Sequence, residues 1–234
     1  MIPIRDNNPT NTVPIVTIIL IVLNSLIWLY EISLGSRSDY FILGYGLTPW
    51  RFTHYYMYQG GFWSNSITPL FWSIFMHAGW LHLIGNMWFL WIFGDNVEDR
   101  LGHFNYLIFY LLCGIGASLI HVAFNPLSKI PTVGASGAIS GILGAYLICF
   151  PNARIYTLLI ILVIIRFVEI PAFLFLIFWL VFQFLAAAAQ AGAAENVGGV
   201  AYWAHMGGFV IGVALLWLMD KKPARPTRYG WNSD

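Results

Sequence analysis

Arg154-Ile-Tyr-Thr-Leu-Leu-Ile-Ile-Leu-Val-Ile-Ile165-Arg166 is the stretch that decides how this chain is put together. Apolar runs recur along the sequence, and every assignment of sides depends on whether this one crosses a bilayer with the others. A crossing needs about 20 apolar residues, because a helix rises about 1.5 Å per residue and the hydrocarbon is ~30 Å thick. Ile155 to Ile165 would cover only ~17 Å as a helix, and an arginine brackets it at each end. Fusing it to the next run would carry Arg166, Glu169 and Pro171 into hydrocarbon. The stretch therefore reads as a re-entrant or interfacial piece confined to one side.

With that piece set aside, six runs remain as spans: Val13 to Ser33, Trp80 to Phe93, His103 to Phe124, Ser136 to Phe150, Pro171 to Ala187 and Tyr202 to Met219. The fold class that follows is all-α, a polytopic membrane protein of six transmembrane helices. Composition agrees: 59% of residues are hydrophobic and 9% charged, where a soluble domain carries roughly a quarter charged residues. A mean hydropathy of +0.72 excludes a water-soluble fold. A net charge of +1 with no basic stripe excludes a nucleic-acid partner. Cys113 and Cys149 lie within different apolar runs and read as buried thiols. Neither a disulfide framework nor a metal cluster is indicated, and no cofactor signature is present.

Three regions follow in order: a polar cytoplasmic N-terminus over 1–12, a membrane domain over 13–220 and a basic cytoplasmic tail over 221–234. The first run lacks a small-residue cleavage site and reads as an uncleaved span. Leu34 to Gly79 is rich in Tyr, Trp, Phe and Gly, which predicts a structured interfacial first loop. Arg5, Arg100, Arg154, Arg166 and the tail fall on one side, against Arg37, Arg51 and Lys129 on the other. The excess of basic residues marks the first side as cytoplasmic and places both termini there. The fourth and sixth spans then both begin on the outer side, with Ser136 and His205 at similar depth.

Polar side chains inside spans are costly and mark function when several converge. His82 and Asn86 are four residues apart and share one face of the second span. Ser136 opens the fourth span within Gly134-Ala-Ser136-Gly137, and His205 lies in the sixth within Ala204-His205-Met-Gly207-Gly208. A serine hydroxyl becomes a useful nucleophile when a neutral imidazole takes its proton. For residues on separate helices the backbones must approach closely. Gly137, Gly141 and Gly144 on one helix, and Gly208 and Gly212 on the other, supply small-residue ridges for that approach. Gly134 and Gly137 also leave room for a substrate backbone. His82, Asn86 and the Ser136 backbone N–H are candidate donors to an oxyanion. With no Asp or Glu in these spans to orient His205, the expectation is a dyad. His77 is expected to cap or order the entrance to the second span, and His54, His103 and His121 to be interfacial. Glu98, Asp99 and Arg100 are expected to form a cytoplasmic interface cluster.

Each signal has a bland reading: Gly-x-Ser-Gly is a common packing sequence, and His82 with Asn86 could form an ordinary interhelical hydrogen bond. Together, in the order His82-x-x-x-Asn86, Gly134-x-Ser136-Gly137 and Ala204-His205-x-x-Gly208, they resemble the rhomboid protease family over nearly the whole chain. Trp50-Arg51 is similar to that family's first loop, and Glu98 to Gly102 to the exit of its second span. The resemblance implies a six-helix fold, a serine nucleophile with a histidine base, assistance to the oxyanion from His82 and Asn86, and cleavage of single-pass membrane proteins near the outer surface. Membrane lipid and transmembrane substrates are the implied partners, small residues are implied at the scissile position, and a bacterial inner membrane is the implied location. One departure is Ser140, standing where some members carry an aromatic residue that stacks on the histidine. Ala186 to Val200, rich in Ala and Gly, is expected to act as a gate. The competing readings are an inactive family member that binds membrane clients and a small channel or transporter, though no internal repeat supports the latter.

Overall fold

The structure is a computed structural model, and it describes residues 1–161, 164–191 and 200–220. Among these the long helices are α1 (Ile15–Ser33), α5 (Trp80–Leu101), α6 (His103–Phe124), α8 (Ala172–Ala191) and α9 (Tyr202–Met219), together with the shorter α7 (Ser136–Cys149). Four of them, α1, α6, α8 and α9, are each long and apolar enough to cross a membrane. Broad apolar surfaces on α1 and α8 face outward, with Leu26 58%, Phe178 58% and Leu185 60% exposed, as lipid contact requires. The chain is a multi-pass membrane protein.

α7 is the central helix and is buried along nearly all of its length. At 14 residues it spans ~21 Å, and its first residue, Ser136, is half-buried. The core around it is aromatic: Phe93, Tyr106, Phe109, Tyr110 and Tyr146 are fully buried, and the edge of Phe93 meets Tyr146 with ring centroids 5.0 Å apart. α9 packs against α7 along glycine. A Cβ built at Gly208 would collide with the Gly137 carbonyl, and one at Gly212 with the backbone of Gly141. These are the small-residue ridges expected of this helix pair, and they let the two backbones touch.

The second span continues past Phe93 to Leu101. Its last two turns carry Asp95, Glu98, Asp99 and Arg100, which interrupt the apolar run; Asp95 is half-buried, while Glu98, Asp99 and Arg100 are buried with partners. Glu98 accepts from the Val16 and Thr17 backbone N–H groups, both at 2.8 Å, and from the Thr17 hydroxyl at 2.7 Å. It thereby caps α1, whose N-cap residue, Pro14, offers no side-chain oxygen. Asp99 accepts from Thr12 at 2.8 Å and Asn11 at 3.2 Å. Arg100 pairs with Asp220 at 2.8 Å, beyond the end of α9. The expected interface cluster is thus a buried knot joining the start of α1, the end of α5 and the end of α9. Gly102, at φ +81°, adopts the left-handed conformation needed to turn α5 directly into α6.

Arg154–Ile161 (β2) and Ile164–Pro171 (β3) form an antiparallel hairpin, and β1 (Ile2–Asp6) adds to β2 to give the sheet order β1-β2-β3. Among the described residues the helical protein therefore carries one small sheet. Arg154 pairs with Pro171, so the segment leaves the end of α7 and returns to the start of α8 on one side, as its length and flanking arginines required. Its secondary structure follows from composition: a short run rich in Ile, bounded by Pro151 and Pro171, suits a strand better than a helix. The polar N-terminus, unassigned from sequence, is tied down by this pairing and by the Tyr146 hydroxyl, which donates to Asp6. Burial of that carboxyl raises its pKa to about 6, against the opposing pull of the Tyr146 hydrogen bond.

The first loop is ordered. α2 (Ser38–Tyr45), α3 (Pro49–Thr53) and α4 (Thr68–Trp72) are joined by single 3₁₀ and π turns. The Arg51 guanidinium donates to the carbonyls of Leu43 and Gly44 at 2.6 and 2.8 Å, closing the loop on itself. Leu47 pairs with Thr132 and links this loop to the segment preceding Ser136.

Candidate active site

The end of the helical bundle opposite the sheet collects the starts of α5, α7 and α9. Ser136 begins α7 and His205 lies in the first turn of α9. The approach of these two turns is set by glycine. A Cβ at Gly137 would lie 3.9 Å from the Ala204 carbonyl and closer still to Ala117, so the residues next to Ser136 and His205 are themselves neighbours. Gly208, one turn beyond His205, rests on the Gly137 carbonyl. Of the residues singled out from sequence, Gly137, Gly141, Gly208 and Gly212 all lie in this seam.

Gly134 marks the second convergence. Its φ of +133° is one that side chains rarely adopt, and a Cβ there would stand 2.7 Å from His82 Cε1 and Nε2 and 3.6 Å from Asn86 Nδ2. The backbone just before Ser136 therefore runs directly over His82 and Asn86. Its amide donates to the Ser73 carbonyl at 2.8 Å, fixing the strand-like approach to the helix. On the other side of this approach, His121 Nε2 meets Thr132 Oγ1 at 3.1 Å; His121 is buried and orders the loop that leads to Ser136.

The hydrogen bonds define which groups can donate. Asn86 Nδ2 donates to His77 Nε2 at 3.0 Å, leaving the second amide hydrogen available. His77 is fully buried, and its backbone N–H reaches the Glu31 carboxylate at 3.3 Å. It thus orders the entrance to α5, as expected, and also aims Asn86. His82 Nδ1 faces the Ala78 N–H at 3.5 Å, and Nε2 is the ring nitrogen beside Gly134. Asn86 and His82 thus place side-chain nitrogens beside Gly134, two residues before the N–H groups that open α7.

His205 is 9% exposed. Among the described residues its imidazole is hydrogen-bonded to the α8 side chain Gln183, with Nδ1 and Oε1 2.8 Å apart, and not to the Ser136 hydroxyl. A nucleophile–base contact commonly tightens only with substrate bound. Ser140 does not reach the ring; its hydroxyl donates to the Ser136 carbonyl at 2.6 Å. Trp179 and Tyr202 lie near the imidazole instead, with centroids at 6.1 and 6.3 Å. Gln183 was not singled out from sequence, although an amide in an otherwise apolar span is the kind of residue that marks function. Of the expected gate, 186–191 continue α8 and 192–199 lie outside the described residues.

Comparison with known proteins points the same way as the motifs. Residues 59–222 match the family model described as Rhomboid domain. The chain is 30% identical over 208 residues to Rhomboid-like protein 11, chloroplastic, of Arabidopsis thaliana, covering 86% of this chain and 67% of that one. It is 32% identical over 176 residues to Rhomboid protein 1, mitochondrial, of Saccharomyces cerevisiae, covering 74% and 47%. With Rhomboid protease GluP of Bacillus subtilis it shares 34% over 148 residues, covering 62% and 27%. The chain thus spans less than half the length of the last two relatives. A family model that covers most of the chain, and a relative matched along most of both sequences, make this polytopic helical protein a member of the rhomboid family.

Proposed function

We propose that this protein is an intramembrane serine endopeptidase that cleaves single-pass transmembrane proteins near the outer membrane surface. The observation that carries the reading is the glycine seam, which brings the turn bearing Ser136 against the turn bearing His205 while Gly134 opens onto His82 and Asn86. In this reading a nucleophile, a base and three donors serve one point, which is what acyl transfer needs.

In this scheme His205 Nε2 takes the proton of the Ser136 hydroxyl as Oγ attacks the scissile carbonyl. The oxyanion that forms is met by the Ser136 N–H, Asn86 and His82, each donor lowering the barrier by roughly 3 kcal/mol when well placed. His205 returns the proton to the leaving amine, and water then hydrolyses the acyl-enzyme by the same base. Substrates with locally broken helices are favoured, because an intact helix engages its carbonyls in its own hydrogen bonds.

The sheet end, with Arg5, Arg154 and Arg166, is assigned to the cytoplasm together with both termini. The reacting end then faces outward, in a bacterial inner membrane. Fluorophosphonate labelling of the detergent-solubilised chain tests the reading. Labelling that disappears in both Ser136→Ala and His205→Ala supports it; a folded natural chain that does not label favours a client-binding member without activity.

A further inference from the structure

We infer that Gln183 is a positioning residue for the general base: its amide oxygen, 2.8 Å from His205 Nδ1, holds the imidazole with its proton on Nδ1 and presents Nε2 to Ser136. The inference rests on the Ser136–His205 reading above.

A neutral imidazole carries one proton, and the nitrogen without it is the only one that can act as a base. A carbonyl oxygen facing Nδ1 is stabilising only if Nδ1 carries the hydrogen, so Nε2 is left with its lone pair. Exchange to the other tautomer would either oppose two lone pairs at 2.8 Å or require the Gln183 amide to turn over and present its NH2 to Nδ1, and it would turn an N–H towards the serine. While the amide keeps this orientation at a buried position, the lost hydrogen bond biases the equilibrium by about an order of magnitude or more.

The surroundings argue that orientation is the purpose. Between Ala172 and Ala189, Gln183 is the one side chain of α8 able to accept a strong hydrogen bond, and it is itself buried at 7% exposure. One turn earlier on the same face, the Trp179 ring lies at 30° to the imidazole. α8 therefore supplies a hydrogen bond and a flat apolar wall, while Tyr202 stands edge-on at 86° from His205's own helix. α7 contributes neither, since Ser140 is turned to the Ser136 carbonyl. An amide does this without placing a second charge among the spans, where a carboxylate would be costly. Because the bond runs between helices, the base is correctly set only while α8 lies against α9.

The test uses the full chain in detergent at pH 8, comparing Gln183→Met, which keeps the length and removes the strong acceptor, with Gln183→Glu, which keeps an acceptor. Fluorophosphonate inactivation kinetics separate probe binding from the chemical step. The expected result for Gln183→Met is a maximal inactivation rate lower by about 10- to 100-fold with probe affinity unchanged, and substantial recovery in Gln183→Glu. Nitrogen NMR of 15N-histidine-labelled protein, with the His205 signals identified by their loss in His205→Ala, should report the Nδ1–H tautomer in the natural chain. An inactivation rate within about twofold of natural for folded Gln183→Met, equal losses in the Met and Glu variants, or an Nε2–H tautomer in the natural chain would each overturn the inference. If Gln183→Met does not fold, the tautomer decides. A natural chain that never labels would sink the protease reading, whereas the NMR result would still judge the Gln183–His205 hydrogen bond by itself.

Discussion

Adding one methyl group at Gly208 tests the seam between α7 and α9. In Gly208→Ala the new Cβ falls on the Gly137 carbonyl oxygen and lies 3.0 Å from the Gly137 carbonyl carbon. Both atoms are backbone and cannot rotate away. Ordinary carbon contacts need roughly 3.5 Å or more, so the helices must part by an amount on the order of 1 Å. Two costs follow. Overpacking a well-filled interior destabilises by about 1–3 kcal/mol. Misplacing a base by ~1 Å costs about 100-fold in rate, because Gly208 is one turn from His205 on the facing side. Gly85→Ala serves as the control: nothing lies within 4 Å of a Cβ there, so a change of no more than about 1 kcal/mol is expected, towards stability. The assay is fluorophosphonate inactivation with a thermal melt on each purified protein. Gly208→Ala that labels at the natural rate with an unshifted melt would refute the close-approach argument.

Three further perturbations probe other parts of the account. Asn86→Ala should lower kcat for a transmembrane substrate by about 10²–10³ with KM little changed; an equal rise in KM instead would make Asn86 a binding residue. Glu98→Ala removes the cap on α1 and should cost roughly 2–4 kcal/mol, read as a lower melting temperature, while the folded fraction keeps its labelling rate. Asp6 binds its proton more tightly folded than unfolded, with its pKa raised from 3.8 to about 6, so it contributes stability below pH ~4 that is lost as pH rises through about 6. Melting curves across that window should show the decline, and Asp6→Asn should remove this component.

The six spans were legible because each is a continuous apolar run, and two, beginning at His103 and Tyr202, have the predicted limits. The second was cut short at Phe93 because Asp95 to Arg100 look like a surface segment. The burial of Asp99 and Arg100 depends on partners as distant as Thr12 and Asp220, which no local pattern reveals. The sheet was missed for a related reason. β2 and β3 show no clean alternation of polar and apolar residues, so the period that identifies a strand is absent, and β1 becomes a strand only by pairing with residues some 150 positions away. At the end of the bundle that carries Ser136, the convergence of Gly134 with His82 and Asn86 was readable as motif and parity. Gln183 was not, since a single amide in a span says nothing of which helix it faces until the packing of α8 on α9 is known.

The most direct test of the account is cleavage itself: the purified chain reconstituted in liposomes with a single-pass substrate bearing helix-breaking residues at its outer edge, and the products mapped by mass spectrometry. The account predicts a cut near the outer membrane surface by the natural chain and none by Ser136→Ala. A product that persists in folded Ser136→Ala, or a folded natural chain that leaves every such substrate intact, would contradict it.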